Sequence, residues 1–348
     1  MALSLGFLIF SFIITGILLI PFINLLYKLK FTRRVEAPRF IKKSKIPLFD
    51  RMHDWKAGTP VGGGILIIAV VSLLFFILFP LITYLGVQVT KAYPLQDELR
   101  IIFIAFIGFG LLGLYDDLVK FFGKPKEGEV GYLFGLGKIS KFAIQWVLAL
   151  ILAFMLWNNL QIDIVNLPLV DRLLHMDWLY IPFAAFVIVA FTNAVNITDG
   201  LDGLAGGVLV ICLFAFWIIA ANFLDTPLTI FIALWIGALI AFLYFNVWPA
   251  RIFMGDVGAL SFGATLAVIG LLTGKPFALI VIGGVFVVEV ATSFIQLVSK
   301  RFLRRRVFPI APFHLFLQSI GWEEPKIVMR VWLAGIMLAI FGLWSALI

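Results

Sequence analysis

Ten apolar runs follow one another along the chain, each close to the length that a helix needs to cross a bilayer. A hydrocarbon core of about 30 Å takes roughly 20 helical residues. Measured against that length, the runs are Leu3–Tyr27, Val61–Leu85, Ile101–Phe122, Ile139–Leu156, Trp178–Val195, Leu204–Phe223, Leu228–Phe245, Ala259–Leu272, Pro276–Val298 and Val328–Ile348. The eighth is short. Gly283-Gly284 and Glu289 interrupt the ninth, so it is expected to break. At 63% hydrophobic and 13% charged residues, the chain has more apolar surface than one aqueous core hides. The expected fold is an all-α polytopic membrane protein of about ten spans, forming a single domain over residues 1–348. Leu3–Tyr27 reads as a retained span because it lacks a basic leader and a small-residue cleavage site. The single Cys212 excludes an intrachain disulfide.

Charge placement orients the bundle. Loops 28–60, 116–141, 246–258 and 299–330 hold 23 of the 27 Lys and Arg, and the opposite face holds only Lys91, Arg100, Arg172 and Lys275. The positive-inside rule makes the basic face cytoplasmic and, with ten spans, both termini external. This placement sets the +8 net charge against membrane topology and argues against nucleic acid as a partner.

Acidic residues gather where the apolar runs meet that basic face: Asp116, Asp117, Asp199, Asp202 and Asp256. Ionisable groups at membrane depth cost several kcal/mol and mark functional sites by default. Carboxylates beside lysines suit a hard divalent cation and a phosphate substrate. Asp116-Asp117 closes the third run, with Lys120 three residues after Asp117. Adjacent carboxylates diverge by about 100° on a helix, so they are expected to take separate roles. The bland alternative is a pair of solvated interfacial acids beside a snorkelling lysine.

Asn193, Asn196, Asp199 and Asp202 recur at three-residue intervals among Gly200, Gly203, Gly206 and Gly207. A capped inter-helix turn explains Asp199 and the glycines. It leaves unexplained two Asn and two Asp in register, which offer oxygen ligands and directional bonds to a ribose or base. In the stretch Asn246 to Gly258, Asp256 lies between Gly255 and Val257-Gly258, open to a metal, and Phe253 can stack on a planar base or simply pack. Lys56-Ala-Gly58-Thr59 precedes Gly62-Gly63-Gly64. Lys56 and Thr59 in this Gly-rich turn suit a phosphate, though the spacing is not that of a P-loop. The run Arg304-Arg305-Arg306 fits topology or anionic lipid. His314, among prolines on the basic face, is the one histidine with a site context; His53 and His175 receive no role. Glu289 is read as satisfying the helix break.

With these segments together, the chain resembles the polyprenyl-phosphate N-acetylhexosamine-1-phosphate transferase superfamily. The matching stretches are Ala57–Gly64, Tyr115–Lys120, Asn193–Gly206, Phe245–Gly258, Ala311–His314 and Gly321–Lys326, in order along nearly the whole chain. Gly58–Gly64 and Ala311–His314 favour the muramoyl-pentapeptide branch over its N-acetylglucosamine relatives. Two departures stand out. Where the family has three consecutive histidines, this chain reads His314-Leu315-Phe316, and Gly123–Gly137 is longer than the family pattern before Lys141, which matches a family lysine.

The resemblance implies an enzyme of peptidoglycan synthesis in the bacterial inner (plasma) membrane, with a cytoplasmic active site. It would transfer phospho-N-acetylmuramoyl-pentapeptide from UDP-MurNAc-pentapeptide to undecaprenyl phosphate with Mg²⁺, giving lipid I and UMP, as a possible homodimer. On that basis Asp256, with Asp117, is the expected Mg²⁺ ligand, and Asp116 holds or deprotonates the lipid phosphate. Lys120 and Lys141 bind phosphate oxygens, and His314 reaches the pyrophosphate or sugar. Asn196, Asp199, Asp202, Asn246 and Phe253 form the nucleoside pocket, and Asn193 is a further substrate-binding residue. The rivals are an N-acetylglucosamine-1-phosphate transferase for another surface polymer and a secondary transporter of anionic metabolites. The transporter predicts charged groups near midplane and internal symmetry, and the sequence has neither.

Overall fold

The computed structural model describes residues 2–33, 56–122, 137–167 and 172–348. Most of the basic first loop, with His53, and most of the long Gly123–Gly137 segment lie outside the described residues. Among those described, nine helices are long and apolar enough to cross a membrane. A broken pair bent by 82° makes a tenth candidate crossing if its two helices count as one span. The helices are α1 (Ala2–Lys28), α2 (Gly63–Tyr84), α3 (Leu95–Phe122), α4 (Lys138–Asn159), α5 (Tyr180–Thr198), α6 (Leu204–Asn222), α7 (Thr226–Asn246), α8 (Gly255–Leu272), the pair α9 (Pro276–Ile282) and α10 (Gly284–Val298), the short α11 (Phe313–Ser319) and α12 (Glu324–Leu347). The break falls at Gly283, as the paired glycines predict, since glycine carries the weakest helix preference after proline.

Two helix boundaries that bear on the site differ from the sequence reading, as does one element elsewhere. Helix α3 begins at Leu95 rather than Ile101 and passes through a π turn at Ile104–Gly108. Asp116 therefore lies about 32 Å along it, still at the inner end. Helix α8 begins at Gly255 rather than Ala259, which places Asp256 inside the first turn. There the exposed N–H groups and the helix dipole favour a carboxylate. The third difference is a short antiparallel hairpin between α4 and α5, β1 (Ile164–Leu167) with β2 (Arg172–His175), which pairs Ile164 with His175.

Helices α7 and α8 are the most deeply buried and form the centre, whereas α1, α4 and α12 are largely exposed and face outward. Helix α8 packs on α5 and α3, and α7 on α1, α2 and α6. An aromatic knot of Phe106, Phe231, Trp235 and Phe262 joins α3, α7 and α8, with ring centroids 5.2 to 6.0 Å apart. Two hydroxyls inside the bundle return to main-chain carbonyls of other helices, Ser11 to Leu234 at 2.7 Å and Ser261 to Phe106 at 2.5 Å. Such internal pairing is what a medium without water demands. Because successive spans alternate in direction, the end of α3, the start of α4, the end of α5, the start of α6, the end of α7 and the start of α8 share one end of the bundle.

Candidate active site

At that end the chain brings Asp116, Asp117, Lys120, Lys141, Asn196 and Asp256 into one cluster. Two lysines lie between the carboxylates. Lys120 Nζ donates to Asp256 Oδ2 at 2.7 Å and lies 2.9 Å from Asp116 Oδ2. Lys141 Nζ donates to Asp116 Oδ2 at 2.9 Å and also to Asp256 Oδ2. Asn196 Nδ2 donates to the other Asp256 oxygen at 3.1 Å. Asp117, as its divergence from Asp116 predicts, faces elsewhere: its Oδ2 accepts the Val257 main-chain N–H at 3.2 Å, and Lys120 is 3.9 Å from its Oδ1. The expected Asp117–Lys120 pairing on one helix face is thus the weaker contact, and the pairs from Lys120 to Asp116 and Asp256 are closer.

Backbone approach makes this convergence possible. A side-chain carbon at Gly113 would lie 2.2 Å from the Asp256 carbonyl oxygen, so α3 and the start of α8 touch main chain to main chain. Gly255, at φ +77°, turns the chain into α8 in a conformation that other residues adopt at a cost. Asp116 and Asp117 are buried, while Lys120, Lys141 and Asp256 keep 22%, 17% and 17% of their side chains exposed. The charged cluster is therefore open on one side, where a substrate can enter.

Asp199 follows α5 at the edge of the same cluster. Its apolar surroundings, and then the negative charge of Asp256, push its carboxyl up to about 8. Asn193 donates to Gln145 Oε1 at 2.7 Å and to the Val189 carbonyl at 2.8 Å, which ties α5 to α4.

A second group of charges lies beside the first. Lys56, 1% exposed, is 2.6 Å from Asp202 Oδ1 and 2.5 Å from Glu324 Oε1. Glu324 also accepts the Asp202 N–H at 2.6 Å, and Asp202 Oδ2 accepts the Ala250 N–H at 2.9 Å. Asn246 accepts the Gly203 N–H at 3.2 Å and donates to the Ile252 carbonyl at 2.9 Å. Lys56, Asp202 and Asn246 thus hold the loops before α2, between α5 and α6, and between α7 and α8 against the start of α12. Phe253 is part-exposed. Its carbonyl accepts the N–H groups of Gly62 and Gly63, and its ring has the Arg33 guanidinium 5.7 Å and the Lys56 ammonium 5.9 Å from its centroid. Thr59, part-exposed, accepts the Arg33 N–H on its carbonyl at 2.9 Å.

His314, the first residue after the α11 N-terminus, is buried against Glu289 of α10 at 3.0 Å. Sequence reasoning left Glu289, Glu324 and Gln145 without a site role. Each carried a signal: Glu289 is a charge inside an apolar span, Gln145 is four residues from Lys141 on one helix face, and Glu324 belongs to the Gly321–Lys326 stretch.

Asp256 offers a carboxylate oxygen and Asn196 an amide at the open side, oxygen donors that suit a hard cation, while Asp117 lies buried behind them against the Val257 N–H. Among the described residues, no group of three or more His, Cys, Asp or Glu forms a ready metal cage.

Residues 99–274 match the family described as Glycosyl transferase family 4. The chain is 33% identical to the phospho-N-acetylmuramoyl-pentapeptide-transferase of Bacillus pumilus (strain SAFR-032), over 97% of this chain and 95% of that protein. It is 34% identical to the protein of that name in Bacillus subtilis (strain 168), over 97% and 95%. The corresponding protein of Clostridium perfringens (strain 13 / Type A) is 34% identical over 92% and 91%.

Proposed function

The chain belongs to the phospho-N-acetylmuramoyl-pentapeptide-transferases of glycosyl transferase family 4, and from that membership we propose how its site works. The substrates are UDP-MurNAc-pentapeptide and undecaprenyl phosphate, and the products are lipid I and UMP. An oxygen of the lipid phosphate bonds to the phosphorus that carries the sugar, as the bond from that phosphorus to the bridging oxygen of UMP breaks. One phosphoanhydride replaces another, so no outside energy source is required.

The observation that carries this reading is the meeting of Asp116, Asp256, Lys120 and Lys141 at an open face of the cluster. Carboxylates hold both ammonium groups together beside the open face. When the diphosphate arrives, its oxygens take the place of carboxylate oxygens around the two ammonium groups. Asp116 positions the lipid phosphate. That phosphate is already largely ionised at neutral pH, so the carboxylate contributes placement more than proton removal. Asn196 keeps Asp256 turned toward the opening. Asp199, Asn193 and Phe253 line the donor's nucleoside side, while Asp202, Asn246 and Lys56 hold the loops that shape it. Asp256 and Asp117 would hold Mg²⁺, which when bound would neutralise charge on the diphosphate.

The transferase acts on the cytoplasmic side of the bilayer as a homodimer. The test is turnover of purified protein with each uridine-diphosphate sugar, Mg²⁺ supplied and withheld, together with its mass in lipid nanodiscs. UMP release with the muramoyl-pentapeptide donor, lost without Mg²⁺, supports the proposal. Turnover only with UDP-N-acetylglucosamine rejects the donor, and a monomeric mass rejects the dimer.

A further inference from the structure

Glu289 stands in α10, past the break, in a run otherwise apolar, and is 1% exposed. Both of its oxygens face one residue. Oε1 accepts the His314 main-chain N–H at 3.1 Å, and Oε2 lies 3.0 Å from the imidazole Nδ1. An ionised carboxylate only accepts hydrogen bonds, so this pairing places a proton on Nδ1. The bond made by one ring nitrogen decides the state of the other.

The remaining nitrogen has a defined direction. A side-chain carbon at Gly200 would lie 2.6 Å from Nε2 and 3.2 Å from Cε1. The Nε2 edge of the ring therefore lies against the Gly200 main chain, next in sequence to Asp199. Any larger residue at 200 would displace the imidazole. Leu315 and Phe316 follow His314, so no adjacent imidazole can take its place.

We propose that Glu289 is the positioning residue for His314: from the broken span it fixes the Nδ1-protonated ring and aims Nε2 along the Asp199–Gly200 turn toward the donor's diphosphate–sugar end. This rests on the donor assignment above. Glu289 touches no substrate and acts through the imidazole. The break in α9–α10 thereby has a chemical use, since it delivers a carboxylate to the histidine that follows in α11.

The test uses full-length protein in nanodiscs with ¹⁵N-labelled imidazoles. The chain has three histidines, and the His314 signals are those lost in His314→Ala. Wild type is expected to show His314 protonated at Nδ1, and Glu289→Gln to lose that signature, because one amide oxygen cannot serve both donors. In turnover, Glu289→Gln is expected to lower kcat by about 10- to 100-fold, as loss of a group that orients a functional histidine does. Donor KM should change by less than about threefold, separating positioning from binding. Glu289→Asp keeps the charge and should restore part of the loss. In a His314→Ala background, Glu289→Gln should add less than about twofold, the non-additivity of residues that act as a unit. An unchanged imidazole signature in Glu289→Gln, or an equal further loss in the His314→Ala background, overturns the proposal. If wild type shows the Nδ1–H signature and its loss in Glu289→Gln but no turnover of the muramoyl donor, the donor assignment fails and the positioning geometry stands.

Discussion

Lys56→Met isolates the buried charge clamp. The ammonium lies 2.6 Å from Asp202 and 2.5 Å from Glu324, which puts those two carboxylate oxygens within about 5 Å of each other. Without the cation, two negative charges at that separation repel by roughly 3 kcal/mol at an effective dielectric of about 20. Breaking a buried pair by deleting one partner costs about 3–5 kcal/mol by direct measurement in other proteins. At about 1.4 kcal/mol per factor of ten, the clamp's opening equilibrium should rise by roughly 10²- to 4 × 10³-fold. Hydrogen exchange reads this locally, because the Asp202 and Ala250 amides bond to clamp carboxylates. Both should exchange at least about 100-fold faster in Lys56→Met, with helix α8 unaffected. The triple change Lys56→Met, Asp202→Asn, Glu324→Gln should recover most of the protection, since no charge is then left unpaired. Wild-type exchange in Lys56→Met refutes the electrostatic reasoning. An undiminished loss in the neutral triple variant refutes it equally.

Two further outcomes follow from the geometry around the cluster. Gly113→Ala forces a carbon to within 2.2 Å of the Asp256 carbonyl unless α3 and α8 separate; it should destabilise the protein by about 1–3 kcal/mol and lower turnover more than Gly86→Ala on the far side, as thermal unfolding and UMP release together report. Asp199, with its carboxyl raised to about 8, binds more protons folded than unfolded between its ordinary carboxylate range and that value. Its contribution to stability is complete at low pH and declines as pH rises toward about 8. Asp199→Asn should flatten that part of the melting-temperature profile in metal-free protein, and identical profiles would contradict the assignment.

The spans were legible because a bilayer imposes a length, and the face was legible because lysine and arginine obey the membrane's electrical asymmetry. Asp116, Asp256 and Asn196 could be picked out because polar residues stand against an apolar background. Their partners could not be ranked. Lys120 is three residues from Asp117 and four from Asp116, and only the approach of α8 makes Asp256 and Asp116 its closer neighbours. Lys56 was read as a phosphate ligand because its glycine-rich neighbourhood suggests one. Its counter-charges come from residues 146 and 268 positions away, a distance no local pattern encodes. Glu289 was set aside for a related reason: a charge in a broken span has an ordinary explanation until its neighbour across the turn is seen to be His314. The hairpin at Ile164–Leu167 and Arg172–His175 is too short for an alternating pattern to separate it from a loop.

The central claim is that the Asp256 carboxylate, reached by Lys120, Lys141 and Asn196, organises phosphoryl transfer at the end of the bundle. Its most direct test is UMP release from the muramoyl-pentapeptide donor by Asp256→Ala protein that inserts and purifies like wild type, across a Mg²⁺ titration. The account predicts loss of turnover by at least about 10³-fold at every Mg²⁺ concentration. Near-normal, Mg²⁺-dependent release in that variant would contradict it.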